Sequence, residues 1–265
     1  MIDTLGKGMR RTAASIVCTA AVAAGAGLFL ATAAAAQYVK EKPALNLSDC
    51  DQDHLATLAL RACGTILNAP DLDEATRLRV LILRGKAWLS ELEPAEAAAD
   101  FSSALRIDPK NIEALERRAK AYTLAGEHEK AATDWTSVIA LNPNDMIAYH
   151  SRGTSNLAAG NNTQALEDFA KALAIDPKSV ESHLGRATAF VALNERDKAK
   201  QEYDAALAID PNNARAHIER AEAAEKWGNT KLAIESYLLA VKANGMLLKP
   251  RMALQRLGVE TPTPP

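Results

Sequence analysis

The apolar and small positions of this chain repeat every 34 residues from residue 78 onward. The repeat is plainest in four stretches: ALRIDPKN (104–111), VIALNPND (138–145), ALAIDPKS (172–179) and ALAIDPNN (206–213). Their prolines, Pro109, Pro143, Pro177 and Pro211, stand 34 positions apart. A period between about 20 and 50 residues means one supersecondary unit stacked on copies of itself. Cut at that period, the chain gives units 78–111, 112–145, 146–179, 180–213 and 214–247.

Position by position, the units predict a helical hairpin. Position 8 is small throughout: Gly85, Ala119, Gly153, Ala187 and Ala221. So is position 20, with Ala97, Ala131, Ala165, Ala199 and Ala233, and position 27, with Ala104, Val138, Ala172, Ala206 and Ala240. Small residues at these places let two helices approach closely, because helix separation is set by the side chains at the contact. Position 24 is always aromatic (Phe101, Trp135, Phe169, Tyr203, Tyr237) and fills the space between neighbouring pairs. Gly126, Gly160, Asn194 and Gly228 at position 15 suit the left-handed residue that ends a first helix. Unit 1 departs with Leu92 there, followed by Pro94, which suits the first turn of a second helix. The residue before each proline is pushed out of the helical region, so the Asp-Pro and Asn-Pro pairs end the second helices.

Two charged positions recur together. Position 7 is Arg84, Arg118, Arg152, Arg186 and Arg220; position 23 is Asp100, Asp134, Asp168, Glu202 and then Ser236. The expectation is an ion pair within each of the first four hairpins. Treated as a surface pair it contributes about 0–1 kcal/mol, more to geometry than to stability.

The pattern of a small residue at 8, Ala at 20, an aromatic at 24, Ala at 27 and Pro at 32 resembles the tetratricopeptide repeat (TPR) family, over about 170 of the 265 residues. The resemblance implies an all-α, right-handed α-solenoid of about five hairpins and a protein partner rather than a cofactor. In that family, positions 2, 5, 9, 12 and 13 of the first helices line a concave groove. Carried over, the groove candidates are Glu113, Glu116 and Lys120 of unit 2 and Ile147, His150, Thr154 and Leu157 of unit 3. Unit 4 adds Leu184, Thr188 and Val191, and unit 5 adds Ile218 and Glu222, with Glu181, Arg215 and Lys226 at further groove positions. Ile147, Leu157, Leu184, Val191 and Ile218 make a mildly apolar strip that suits an extended or helical peptide. The alternative is that these are packing residues without a ligand. The family's carboxylate clamp has no match here, since Ile82, Lys86 and Arg117 do not supply its Lys and Asn set.

The two ends differ from the array. Lys7, Arg10 and Arg11 precede an alanine-rich apolar stretch, Ala13 to Ala36, and Ala34-Ala35-Ala36 before Gln37 gives a small-x-small cleavage pattern. This is the form of a secretory signal peptide, 1–36. The rival is an uncleaved anchor, because about 20 apolar residues span a bilayer. Cleavage removes Asp3, Lys7, Arg10 and Arg11, a net +2, and takes the charge from −2 to −4. Nothing in that balance suggests a nucleic-acid partner, which would want a basic face. It also removes Cys18, leaving Cys50 and Cys63, an even count in an exported chain.

Cys63 falls at position 20 of a degenerate leading unit within 37–77. Residues 54–68 read as that unit's second helix, and a loop carrying Cys50 covers the missing first one. A bridge closing this short loop stabilises by about 3 kcal/mol; free thiols are the alternative, and the spacing is no metal-ligand motif. Two cysteines ahead of Arg-bearing repeats also resemble a group of exported alphaproteobacterial repeat proteins. At the far end, 248–258 reads as a capping helix from about Pro250 to Leu257. Met252, Leu254 and Leu257 are expected inward, and Lys249, Arg251, Gln255 and Arg256 outward, giving the polar outer face a solenoid end requires. Residues 259–265 read as a disordered tail.

No nucleophile or phosphate-cradling motif is present. His150, His183 and His217 fall near one stripe, but equivalent positions in stacked units lie about 8–10 Å apart, too far for rings to share an ion bound at about 2 Å. Aromatics are expected only at positions 4, 11 and 24, facing the packing. The sequence therefore predicts a non-enzymatic interaction module without cofactor or metal. It is expected to be exported and periplasmic, acting as a scaffold or adaptor. The alternative is a regulatory or positioning subunit of an envelope enzyme, with glycan or peptidoglycan contact.

Overall fold

A computed structural model of the chain describes residues 47–51 and 55–260. The signal-peptide reading of 1–36 and most of the expected tail lie outside the described residues. Thirteen helices and no strands are present among them. A short α1 (Leu47–Cys50) and α2 (Ala56–Leu67) precede five hairpins. The hairpins are α3/α4 (Glu74–Ser90, Pro94–Ile107), α5/α6 (Ile112–Leu124, His128–Leu141) and α7/α8 (Met146–Ala158, Asn162–Ile175). They continue with α9/α10 (Val180–Ala192, Arg196–Ile209) and α11/α12 (Ala214–Lys226, Thr230–Ala243), and α13 (Leu248–Arg256) closes the series. Each helix packs on its sequence neighbours, which makes the array an α-solenoid.

The positions that carry the repeat are the positions that are buried. The alanines at position 20, the small residues at 8 and 27, and all five aromatics at 24 are buried. The helix starts are equally regular. Asn111, Asp145, Ser179 and Asn213 each accept a backbone N–H three residues on, satisfying a donor left over by the first turn. Asp108, Asp176 and Asp210 leave the helical region ahead of the loop, and each accepts the backbone N–H two residues later. Unit 1 differs from expectation at its start. Asp73 caps from Thr76 N at 2.8 Å, so α3 begins at Glu74, a turn earlier than residue 78. Leu92 adopts the same left-handed backbone (φ 60°) as Gly126, Gly160, Asn194 and Gly228.

The arginine–acid pairs form, but they are not surface pairs. Arg84 meets Asp100 through two bonds of 2.7 and 2.6 Å, and Arg118 meets Asp134 at 2.8 and 2.7 Å. Arg152 meets Asp168 at 2.6 and 3.0 Å, and Arg186 meets Glu202 at 2.7 and 2.8 Å. Asp100, Asp134 and Asp168 are buried. Removing an arginine would strand a buried carboxylate, which costs about 3–5 kcal/mol, far above the surface value. The arginines also tie one hairpin to the previous one: Arg118 donates to Ser102 Oγ and Arg152 to Thr136 Oγ1, both at 3.1 Å.

Cys50 and Cys63 are disulfide-bonded, with Cα atoms 5.0 Å apart. They sit in a small core with Ile66, Val80 and Leu83. The segment before Cys50, expected as a loop, is the helix α1. At the other end, α13 starts two residues before Pro250, which is tolerated in a first turn because its missing N–H has no partner there. Leu254 is buried and Leu257 packs against the same core. Met252, expected inward, is exposed, and Arg251, expected outward, is half-buried with Nε donating to the Gly245 carbonyl at 2.8 Å. The phase of α13 is set by Pro250 and Leu254, four residues apart, and this turns Met252 to the opposite side. Val259, placed in the tail by the sequence, closes the helix end through its N–H to the Leu254 carbonyl at 2.9 Å.

Candidate functional site

The concave side of units 3 to 5 holds a cavity of ≈ 490 Å³. Its walls are three successive first helices. From α7 come His150, Thr154 and Leu157; from α9, Glu181, Gly185, Thr188 and Val191. From α11 come Arg215, Glu219, Glu222, Ala223 and Lys226, and Phe169 and Tyr203 of the second helices close the floor. The opening depends on a missing side chain: a Cβ at Gly185 would stand 2.5 Å from the Phe169 ring. Gly153 faces the same ring, 3.0 Å from where its Cβ would be. Phe169 is thus clasped between glycines of two units.

The polar groups of the wall are largely paired. Arg215 donates to Glu219 at 2.6 Å, and Lys226 donates to the Val191 carbonyl at 3.0 Å, bridging units 5 and 4. Glu222 pairs with Lys249 of α13, and Arg256 of that helix meets Glu225 at 2.7 Å. Burial lowers the His150 imidazole below its ordinary value, with Glu181 opposing and Arg215 assisting. Burial pushes the Tyr203 hydroxyl above its ordinary value, with Glu219 adding to the rise. Both are therefore neutral at neutral pH, and Glu181, Glu219, Glu222, Arg215 and Lys226 carry the charge of the cavity.

Nine of the groove residues expected from the sequence converge here: His150, Thr154, Leu157, Glu181, Thr188, Val191, Arg215, Glu222 and Lys226. The other six do not. Glu113, Glu116 and Lys120 lie on α5, outside this cavity, and Glu113 faces Arg117 one turn on at 3.9 Å. Ile147 is 62% exposed but lies beyond the wall. Leu184 is a correction: it is 1% exposed and belongs to the core with Ala187 and Tyr203. Ile218 is another, since it packs on the terminal core with Ala221 and Leu254. Both fall at position 5, which leans toward the hairpin interior when an apolar residue occupies it. Position 6 was missed: Gly185 and Glu219 line the cavity, and the one available signal was a glycine with no turn to make.

The histidines of units 3 to 5 are engaged by neighbouring groups. His150 Nδ1 lies 3.2 Å from Ser182 Oγ, but that serine is buried and its hydroxyl accepts from Ser179 at 2.9 Å. His183 contacts Glu202 and the Pro177 carbonyl, and His217 the Pro211 carbonyl, so each ring has its own partner. Among the described residues no group of three metal-ligating side chains is placed to hold an ion. One aromatic escaped the sequence pattern. Trp227, at position 14, donates from Nε1 to Asn194 Oδ1 at 3.1 Å, and Arg196 sits over its ring at 5.4 Å. It joins the turns of units 4 and 5.

Tetratricopeptide repeat profiles match residues 82–138, 117–180, 156–224 and 214–245. The chain belongs to the TPR family. No curated protein sequence matches it. A TPR protein from Parabacteroides merdae aligns with a TM-score of 0.65 at 23% identity, covering 76% of this chain and 80% of that one. MamA from Desulfovibrio magneticus RS-1 aligns at 0.58 and 18%, covering 64% and 96%. YrrB, described as a TPR protein with an unusual peptide-binding site, aligns at 0.54 and 16%, covering 74% and 100%. At these identities the likeness establishes the shared solenoid.

Proposed function

We propose that this chain is an exported, periplasmic scaffold or adaptor that holds an extended segment of a partner protein along the groove of units 3 to 5. The observation that carries the reading is the cavity itself. It is open, mixes apolar walls (Leu157, Val191, Ala223) with fixed charges, and lies where three hairpins meet. Its polar groups are held by neighbours, so a bound segment meets a wall already in place and little ordering cost is left to binding. The bridge between Cys50 and Cys63 supports export, because disulfides persist in oxidising compartments. The alanine-rich segment ending at Ala36 supports it too. A glycan-contacting role is the weaker reading, because Phe169 and Tyr203 are buried and present no platform for a sugar ring.

The test is affinity capture from crosslinked, intact cells. It compares the wild type with a variant carrying Leu157→Glu and Val191→Glu. One envelope protein captured by the wild type and lost from the folded variant supports the groove. Unchanged capture refutes it. Export has its own readout: the intact mass of the accumulated protein should begin at Gln37, and a mass that includes residues 1–36 would mean an anchor.

A further inference from the structure

A solenoid that ends must cover the face that one more repeat would take, normally with polar residues. Among the described residues, this one leaves apolar groups exposed at both ends. At the C-terminal end α13 buries Pro250 and Leu254 and leaves Met246, Leu248 and Met252 at 76%, 73% and 67% exposure. At the N-terminal end, among the described residues, α2 packs chiefly on the four-residue α1 and on α3. Its Leu55 and Leu58, on sides that neither neighbour covers, are each 51% exposed. Exposed apolar groups clustered on one surface mark an interaction site, and here there are two, at opposite ends of a one-dimensional stack.

We propose that these ends are complementary, and that copies of this chain stack head to tail, the α13 face of one against the α2 face of the next. Charge selects this arrangement over two-fold pairing of like ends. Residues 242–260 carry Lys242, Lys249, Arg251 and Arg256 against the single acid Glu260. The described residues of 47–79 carry five acids, Asp49, Asp51, Asp71, Asp73 and Glu74, against three arginines. Lys249 and Arg256 lean back on Glu222 and Glu225, but Lys242 stays exposed and the sign of the end is unchanged. Like ends would bring like charges together, whereas unlike ends bring opposite ones. The contact is heterologous, so it propagates into an open filament unless the rotation closes it. The groove lies on the sides of the stack, and each added copy presents it again.

The experiment is sedimentation of the full chain, in the form in which cells accumulate it, across a range of concentrations. Two charge variants of exposed residues, Leu58→Glu and Met252→Glu, are compared with the wild type, and circular dichroism confirms their folding. The wild type should grow past the dimer as concentration rises. Either variant alone should stay monomeric, because each lacks one half of every contact. Mixing the two restores one intact contact per pair and should give a 1:1 dimer that grows no further. A wild type that stays monomeric overturns the proposal. So does a variant that still dimerises alone, which would indicate two-fold pairing, and so does a mixture that gives no dimer.

Discussion

Units 3 and 5 fold into the same hairpin with different chemistry at equivalent positions. Unit 3 places Gly153 against Phe169 and pairs Arg152 with a buried Asp168. Unit 5 has Ala221 and Tyr237 at the matching places, and Arg220 donates instead to Ser236 at 3.0 Å, with Asp204 a further 3.7 Å contact. The remaining units follow the same rule: Gly85 goes with Phe101, whereas Ala119 goes with Trp135 and Ala187 with Tyr203. The repeat position therefore fixes where two helices touch, and the residue pair decides what that contact is worth. In unit 3 the glycine solution carries a second consequence. With Gly185 on the other side of the ring, it leaves room for the cavity.

The largest test of this contrast is the arginine. Arg152→Met strands the buried Asp168 carboxylate and should cost about 3–5 kcal/mol in urea unfolding. Arg220→Met removes a hydrogen bond to a neutral serine and should cost about 0.5–1.5 kcal/mol. Equal losses would mean that the buried acids are compensated by something other than their arginines, and the contrast between the units would fail.

Next in size is Gly185→Ala. A helix interior ordinarily gains about 1 kcal/mol from Gly to Ala. Here the new Cβ would stand 2.5 Å from Phe169, and overpacking of that kind costs about 1–3 kcal/mol. A net loss of stability, with the cavity narrowed in a crystal structure of the variant, is expected. A net gain would show that the ring moves freely and that the glycine clasp is not what shapes the site.

A smaller effect separates unit 1 from the rest. Leu92 holds the left-handed backbone that glycine holds in units 2, 3 and 5. That conformation costs an ordinary residue about 1–2 kcal/mol, and glycine gives back part of it through its freer unfolded chain. Leu92→Gly should therefore raise the melting temperature, by about 1 kcal/mol of stability. Asn194→Gly should gain less or lose stability, because asparagine tolerates this region better and its Oδ1 accepts from Trp227 Nε1.

The hairpins were legible because their determinants are local and recur: a buried alanine, an aromatic or an Asn cap shows itself by returning every 34 residues. The groove was half legible. Thr154, Leu157, Thr188 and Val191 come together because the helical phase alone points them inward. Leu184 and Ile218 were misplaced because an apolar residue at the edge of the groove face rotates into the core whenever the core has room for it, and the phase alone does not reveal that room. Gly185 was missed for a related reason. What it contributes is space beside a ring from another helix, and that ring's position depends on tertiary packing. Met252 misled in the same way, since a helix of nine residues offers two apolar stripes and only Pro250 and Leu254 found a partner.

The finest comparison is between the histidines of units 3 and 5. Burial lowers both His150 and His217 below the ordinary 6.5, so the unfolded chain takes up their protons at a higher pH than the folded one. Stability from these rings is fully present above about 6.5 and is lost as pH falls from there through the folded values. The causes differ. His150 owes its shift to burial beside Phe169 (ring centroids 5.6 Å apart) near the cavity, whereas at His217 the Pro211 carbonyl, 2.9 Å from Nε2, opposes the lowering by favouring the proton. His150→Gln should therefore flatten the fall in melting temperature below pH 6.5 more than His217→Gln does. A groove occupant that buries His150 further should steepen that fall in the wild type and leave the His150→Gln slope unchanged. If the two variants flatten the profile equally, the cavity adds nothing to the behaviour of His150, and the distinction between the two units ends at their helix contacts.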